Sequence, residues 1–285
     1  MKTNNKRLKA MLILILVLSV SYYFYWGNNA IQTTHHDYAS SEIPDAFDGF
    51  KVVQVSDLHN KNFGGDLLAK ITSESPDIIV VTGDVIDRNR TDLGVAEAFF
   101  EEAVAIAPVY FVSGNHEVAS GKYQELQRIL NDLGVENLDN ASQVLSLNDE
   151  QINLLGLADP LTLLLEDIIE EGSEEQVLQN NIMDVLNETP DNFNLLLSHR
   201  PENFEVYEDA ELDLVLSGHA HGGQIRLPFI EGLYAPSQGF FPEYTSGRYE
   251  ESGTTMIVSR GLGNSLFPLR VFNRPELVVI ELKAE

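Results

Sequence analysis

The side chains able to hold a cation are not scattered along this sequence. They follow short apolar runs, in VVQVSDLH, IIVVTGD, VYFVSGNHE, LLLSH and LVLSGHAH. Asp57, His59, Asp84, Asn115, His116, His199, His219 and His221 occupy these positions, and they include five of the seven histidines. Imidazole, carboxylate and amide ligands without sulfur suit Mn, Fe or Zn. The chain has no cysteine, which excludes thiolate ligands, disulfide scaffolds and thiol nucleophiles. In extended backbone the spacing of two between Asp57 and His59, and between His219 and His221, predicts that each pair points to one side. Gly83, Gly114 and Gly218 immediately precede Asp84, Asn115 and His219, and are expected to permit a sharp turn and close approach to an ion.

Something must bring these distant residues together. Near-continuous runs such as IIVV and LLL suit strands buried on both faces, and strands are expected at Val52 to Val55, Ile78 to Val81, Val109 to Val112, Leu195 to Leu197 and Leu214 to Leu216. Leu67 to Ile71, Val95 to Ile106 and Tyr123 to Leu133 read as helices, the last ended by Gly134. Further strands are expected at Val144 to Leu147, Ile152 to Leu157, Met256 to Ser259 and Leu277 to Leu282. An acidic helical segment, Leu161 to Asn187, carries a break at Gly172. This alternation is that of an α/β domain, in which ligand sites lie at the carboxyl ends of the strands. No internal repeat or linker divides the part after residue 30.

The charge limits the partners. With 18 Lys and Arg against 44 Asp and Glu, the 285 residues carry a net charge of −26. Unassisted binding to nucleic acid or to an anionic membrane surface is therefore not expected, because polyanion affinity comes largely from basic side chains displacing counterions. All the acids lie after residue 27, whereas Lys2, Lys6, Arg7 and Lys9 precede an uncharged run from Ala10 to Trp26. That run ends in aromatics, as interfacial belts do, and its basic flank predicts a cytoplasmic N-terminus. A cleaved signal would end at small residues, so a retained anchor is the preferred expectation. The expected organisation is a basic cytoplasmic segment over 1–9, a transmembrane anchor over 10–26, a stalk or first strand over 27–47 and an extracytoplasmic domain over 48–285.

Taken in order, D-x-H, G-D, G-N-H-E, H and G-H-x-H resemble the calcineurin-like metallophosphoesterases, over Asp57 to His221. GHAHGGQIRLP, SRGLGNS and RVFNRPEL extend the resemblance to the membrane-associated bacterial branch of YkuE/YaeI type. The resemblance implies a four-layer αββα sandwich and two divalent metal ions. It places Asp57, His59 and His221 on one ion, Asn115, His199 and His219 on the other, and Asp84 between them. It implies His116 as general acid, oriented by Glu117. Two ions roughly 3.5–4 Å apart would acidify a water for in-line attack on a phosphoester, supplying the positive charge this acidic chain lacks. Arg200, Arg260 and Arg270 are further candidates for phosphate or headgroup contact.

The expected activity is hydrolysis of a phosphodiester or pyrophosphate, with an envelope lipid or nucleotide-linked headgroup as the substrate class. A broad phosphomonoesterase is the alternative enzyme. A catalytically silent metal-binding protein is the alternative of another class, and His116, whose loss would mark it, is present. There is neither a phosphate-binding G-x-x-x-x-G-K-[ST] loop nor a G-x-S-x-G elbow.

Overall fold

The computed structural model describes residues 2–162, 172–227, 229–264 and 267–285. The chain opens with α1 (Lys2–Asn29), an apolar helix of 28 residues, none of whose side chains in the hydrophobic window is buried in the protein. At 1.5 Å per residue it is about 42 Å long, enough to cross a bilayer. The segment after it is a strand rather than a stalk: β1 (Gln32–Ser40) pairs in parallel with β14 (Glu276–Ala284) along its whole length.

Two six-stranded sheets follow from the apolar runs. The first has the order β1, β14, β2 (Lys51–Val55), β3 (Ile78–Thr82), β4 (Val109–Val112) and β5 (Glu136–Asn137), parallel except where β14 meets β2. The second has the order β12 (Gly247–Glu251), β13 (Thr254–Val258), β9 (Leu214–Ser217), β8 (Asn194–Leu197), β7 (Glu150–Gly156) and β6 (Ala141–Leu147). Its inner strands are parallel and both edges antiparallel. A short antiparallel pair, β10 (Tyr234–Ala235) and β11 (Gly239–Phe240), stands outside both sheets.

Period two along each strand makes the layers. Ile78 and Val80 of β3 face the second sheet, where they meet Leu195, Leu197, Leu214 and Leu216, whereas Ile79 and Val81 face helices. Those helices are α2 (Asp66–Glu74), α3 (Leu93–Ala103) and α5 (Tyr123–Leu133). Helix α3 presents Ala96, Phe99, Phe100 and Ala103, the spacing of one helical face, and the Asp92 side chain caps it by accepting from the Gly94 N–H. On the outer face of the second sheet, α6 (Glu174–Asn187) and α7 (Phe204–Asp209) bury Leu178, Ile182, Phe204 and Tyr207. The result is the four-layer αββα sandwich. Full burial of each large apolar side chain contributes roughly 1.5–3 kcal/mol, so both sheets are held rigidly where their strands end.

The expected helix from Leu161 to Asn187 begins in a short turn, Pro160–Thr162, and ends as α6, whose cap Ser173 accepts from the Gln176 N–H. Residues 163–171 of that expectation lie outside the described residues.

Candidate dimetal site

Each expected ligand sits where a strand stops. The first sheet supplies Asp57 and His59 after β2, Asp84 after β3, and Asn115 and His116 in α4 (Asn115–Ala119) after β4. The second supplies His199 after β8 and His219 and His221 after β9.

The backbone reaches the site differently from the expectation of extended pairs. Asp57 (φ 52°), His59 (φ 47°), Asp84 (φ 54°), His219 (φ 62°) and His221 (φ 49°) all adopt the left-handed conformation. Asp and His are among the residues that tolerate it, at a cost of roughly 1–3 kcal/mol each. Loop-to-loop bonds offset that strain: Asp57 N donates to Gly83 O at 3.0 Å, His59 N to Asp84 O at 2.9 Å and Gly263 N to Asp57 O at 2.6 Å. Glycine matters for closeness as much as for turning. A Cβ on Gly218 would lie 1.9 Å from Ser56 Oγ, and one on Gly114, which is extended, would lie 2.4 Å from Asp84 Oδ1.

Two buried clusters result, Asp57 with His59 and His221, and Asp84 with His199 and His219. In the first, His221 Nε2 is 3.3 Å from Asp57 Oδ1 and 3.0 Å from His59 Nε2. In the second, His199 Nε2 is 3.3 Å from Asp84 Oδ2, 3.1 Å from His219 Nδ1 and 3.3 Å from Asn115 Oδ1. Asp84 Oδ2 also stands 3.6 Å from His59 Nε2, so one carboxylate oxygen faces both groups.

These donors fit cations. Asp57 Oδ1 is buried with no hydrogen-bond partner, and ring nitrogens face one another at distances where a single proton serves two lone pairs. Burial pulls His59 down to about 4, and it draws His219 and His221 well below the ordinary 6.5. Burial works against charge on His199 too, yet the Asp84 carboxylate beside it holds that ring up to about 10. Asp84 itself stays well below the carboxylate range despite burial, through His199, while burial pushes Asp57 up to about 6. His59, His219 and His221 are thus held neutral, as metal ligands must be, and the positive charge that Asp84 draws onto His199 is the charge a divalent cation would supply there.

His116 and Glu117 part company. The expected contact between them is not made: no hydrogen bond or ion pair among the described residues joins the two. The Glu117 carboxylate, fully buried, accepts from the backbone N–H groups of Asp84 (2.7 Å), Ile86 (3.1 Å) and Gly114 (2.8 Å), tying the loops after β3 and β4 together. Burial, reinforced by the Asp84 charge, pushes it up to about 8. His116 instead takes the Arg88 N–H on Nδ1 at 3.1 Å, with Asp87 Oδ2 at 3.7 Å. That bond leaves the proton of the neutral ring on Nε2.

Asp87 escaped the sequence reading, although it stands three residues after Asp84 in GDVIDR. It lies between His59 Nδ1, at 3.9 Å, and His116. Glu202, 3.7 Å from His219 Nε2, escaped it too.

The three arginines divide. Arg200 forms a bidentate pair with Asp159 at 2.7 and 3.0 Å and borders a cavity of about 210 Å³ with Arg88, His116, His219 and Ser237. Arg260 pairs with Glu276 at 2.7 Å. Arg270, 1% exposed, is occupied by the carbonyls of Gly263 and Arg260 and stands 3.3 Å from His221 Nδ1, so it is not available to a substrate phosphate.

A domain of this architecture, with carboxylates and imidazoles converging from the ends of two sheets, is a metal-dependent hydrolase fold. A family profile described as calcineurin-like phosphoesterase matches residues 50–223, and the chain belongs to that family. It is 33% identical to the metallophosphoesterase YkuE of Bacillus subtilis over 276 residues, covering 91% of this chain and 88% of YkuE. It is 28% identical to the phosphodiesterase YaeI of Escherichia coli over 244 residues, covering 82% of each. These relatives place it in the YkuE/YaeI branch. Among solved structures, the TT1561 protein of Thermus thermophilus shares the fold with a TM-score of 0.50 at 14% identity, over 75% of this chain and 90% of that one.

Proposed function

We propose that this chain is a membrane-anchored phosphoesterase with two divalent ions, of Mn, Fe or Zn type, acting on a phosphodiester or pyrophosphate outside the cytoplasm. The observation that carries the reading is Asp84 Oδ2, which faces His59 on one side and His199 on the other. Asp57, His59 and His221 would hold one ion, Asn115, His199 and His219 the other, with Asp84 shared. When bound, the ions supply an acidified water and stabilise charge building on the phosphoryl oxygens.

The protein's own groups do the rest. His116 borders the cavity of about 210 Å³, and as general acid it acts in its doubly protonated form, with Nδ1–H turned to Asp87 Oδ2: the Nε2 proton passes to the departing oxygen as the ester bond breaks, and the ring is left neutral. In the neutral ring the Arg88 N–H on Nδ1 sets the orientation; burial disfavours the charged form and holds His116 below the ordinary 6.5, while Asp84 and Asp87 work the other way. Glu117 keeps Asp84 in place through backbone bonds and does not touch the substrate. Arg200, fixed by Asp159, orients the phosphoryl group from the cavity wall. Helix α1 holds the domain at the membrane with residues 1–9 in the cytoplasm, supported by its apolar length and basic flank.

The test uses the full chain in detergent, stripped and reloaded with Mn, Zn or Fe, on an aryl phosphodiester and the matching monoester. Metal-dependent turnover favouring the diester is expected. Preference for the monoester would replace the diesterase reading with a phosphomonoesterase. Two bound ions without turnover of any phosphodiester, phosphomonoester or pyrophosphate would favour the silent protein.

A further inference from the structure

We propose that the aromatic rim of the catalytic cleft lies in the interface of the membrane that holds α1, so that the cleft opens onto the bilayer surface. The inference rests on the reading of α1 as a membrane span.

The last turns of α1 are bonded to the domain. Asn28 accepts from Arg270 N at 2.7 Å and donates to Arg270 O at 3.2 Å. Phe272 N donates to Tyr23 Oη at 3.2 Å with the two rings 5.6 Å apart, and the Arg274 guanidinium covers Trp26 at 4.4 Å. The end of the helix therefore fixes which face of the domain meets the lipid.

That face is apolar. Outside α1, nine of the twelve large hydrophobic side chains that are exposed among the described residues fall within 227–241 or 267–272. The two stretches are joined, since Ile225 bridges Val271, next to Phe272. From there the chain turns at Leu227 and Ile230 with Phe229 fully exposed between them, and Phe240 packs on Tyr234 at 5.3 Å. A contiguous exposed patch of this kind marks an interaction surface, and aromatic rings favour the headgroup level of a bilayer.

The same face is poor in acids. A domain carrying 14 basic residues against 44 acids would be repelled by anionic lipid. Leu214 to Ile230 and Ser252 to Pro275 contain no acid; Arg260 there is paired with Glu276 and Arg270 is buried, which leaves Arg226 and Arg274 as the cations of this face, with Glu231 the acid on its rim. Screening beyond about 10 Å leaves the nearest charges to decide the orientation.

The cleft opens there too. A space of about 510 Å³ runs from His59 and Asp87 to Asn264 and Pro268. Asn264 donates to Pro268 O at 2.8 Å and to Asn28 Oδ1 at 3.5 Å, so the loop at the cleft mouth also holds the end of α1. A phosphoester at the headgroup level would reach the site without leaving the membrane surface.

The absence of cysteine makes a direct test possible. Single variants of the full chain, Phe229→Cys, Phe240→Cys, Leu14→Cys and Arg128→Cys, are spin-labelled and reconstituted in phosphatidylcholine vesicles containing a minority of phosphatidylglycerol. The accessibility of each label to oxygen is compared with that to a water-soluble nickel chelate. Labels at 229 and 240 are expected to show a ratio several-fold above that at 128, on the exposed side of α5, and to approach that at 14. A lipid-buried label at 14 with water-exposed labels at 229 and 240 would overturn the inference and leave the anchor standing. A water-exposed label at 14 would overturn the anchor itself. Dipolar broadening between chains at 229 would replace the bilayer with a second copy of the protein.

Discussion

The two candidate ion sites differ most in what stands behind them. Behind Asp57, His59 and His221 is a buried guanidinium, Arg270, bonded to backbone carbonyls instead of an acid. Behind His199 is the Thr82 carbonyl, 2.8 Å from Nδ1, and near His219 is the Glu202 carboxylate. A ring that donates one proton to a carbonyl is fixed in its tautomer and gains basicity at the other nitrogen. A neighbouring cation does the reverse, subtracting from the attraction any second cation feels. The pair teaches that clusters alike in ligand type need not be alike in affinity, and the cluster around His199 is expected to hold its ion more tightly.

The widest effect is expected where the two sites meet. Asp84→Asn removes charge from both, and elemental analysis should show occupancy falling from two ions toward none, with turnover at least about a hundredfold lower. Two ions retained at native affinity would remove Asp84 from its shared position. His116→Ala touches neither cluster's ligands: both ions should remain while turnover of esters with poor leaving groups falls roughly 10²–10⁴-fold. Aryl esters, whose leaving groups need no proton, should lose much less, and an equal loss on both would contradict a general acid. Chelator titration addresses the difference itself. Two steps are expected, the weaker ion leaving first, and Glu202→Gln should narrow the gap by less than about tenfold.

The smallest effect concerns the scaffold behind the weaker site. Glu276 accepts from Arg260 N and Nη2 and from Thr34 Oγ1, and despite burial these partners hold it below its ordinary 4.5. A depressed folded value means stability that is present above the unfolded value and lost as pH falls through the folded one. Glu276→Gln should therefore be less stable than the wild type at neutral pH, with the gap closing below about pH 4.5 in denaturant titrations. A gap that widened on acidification would show that the carboxylate is not the stabilised form.

Much of this was written in the sequence because it is local. An apolar run such as IIVV followed by T-G-D states a strand, its end and a ligand in one stretch, and β3 with Asp84 follows. Ligands remote in sequence converge because parallel strands end on one side. What escaped depends on loop geometry that no period encodes. Asp87 reaches His116 only because the chain after Asp84 folds back beneath it, and Glu117 turns to three backbone N–H groups rather than to the neighbouring ring. The left-handed backbone at Asp57 and His59 had no signal in D-x-H, since either conformation suits the same letters. The turn carrying Phe229 was hidden for another reason: its apolar residues are exposed, against the usual meaning of hydrophobicity.

The most direct measurement is metal content and turnover followed together as ions are returned to the stripped full chain. The account predicts two ions per chain, the tighter binding first without restoring hydrolysis of the aryl phosphodiester, and activity rising with the second. Full turnover with one ion bound would contradict a site built from two clusters around Asp84.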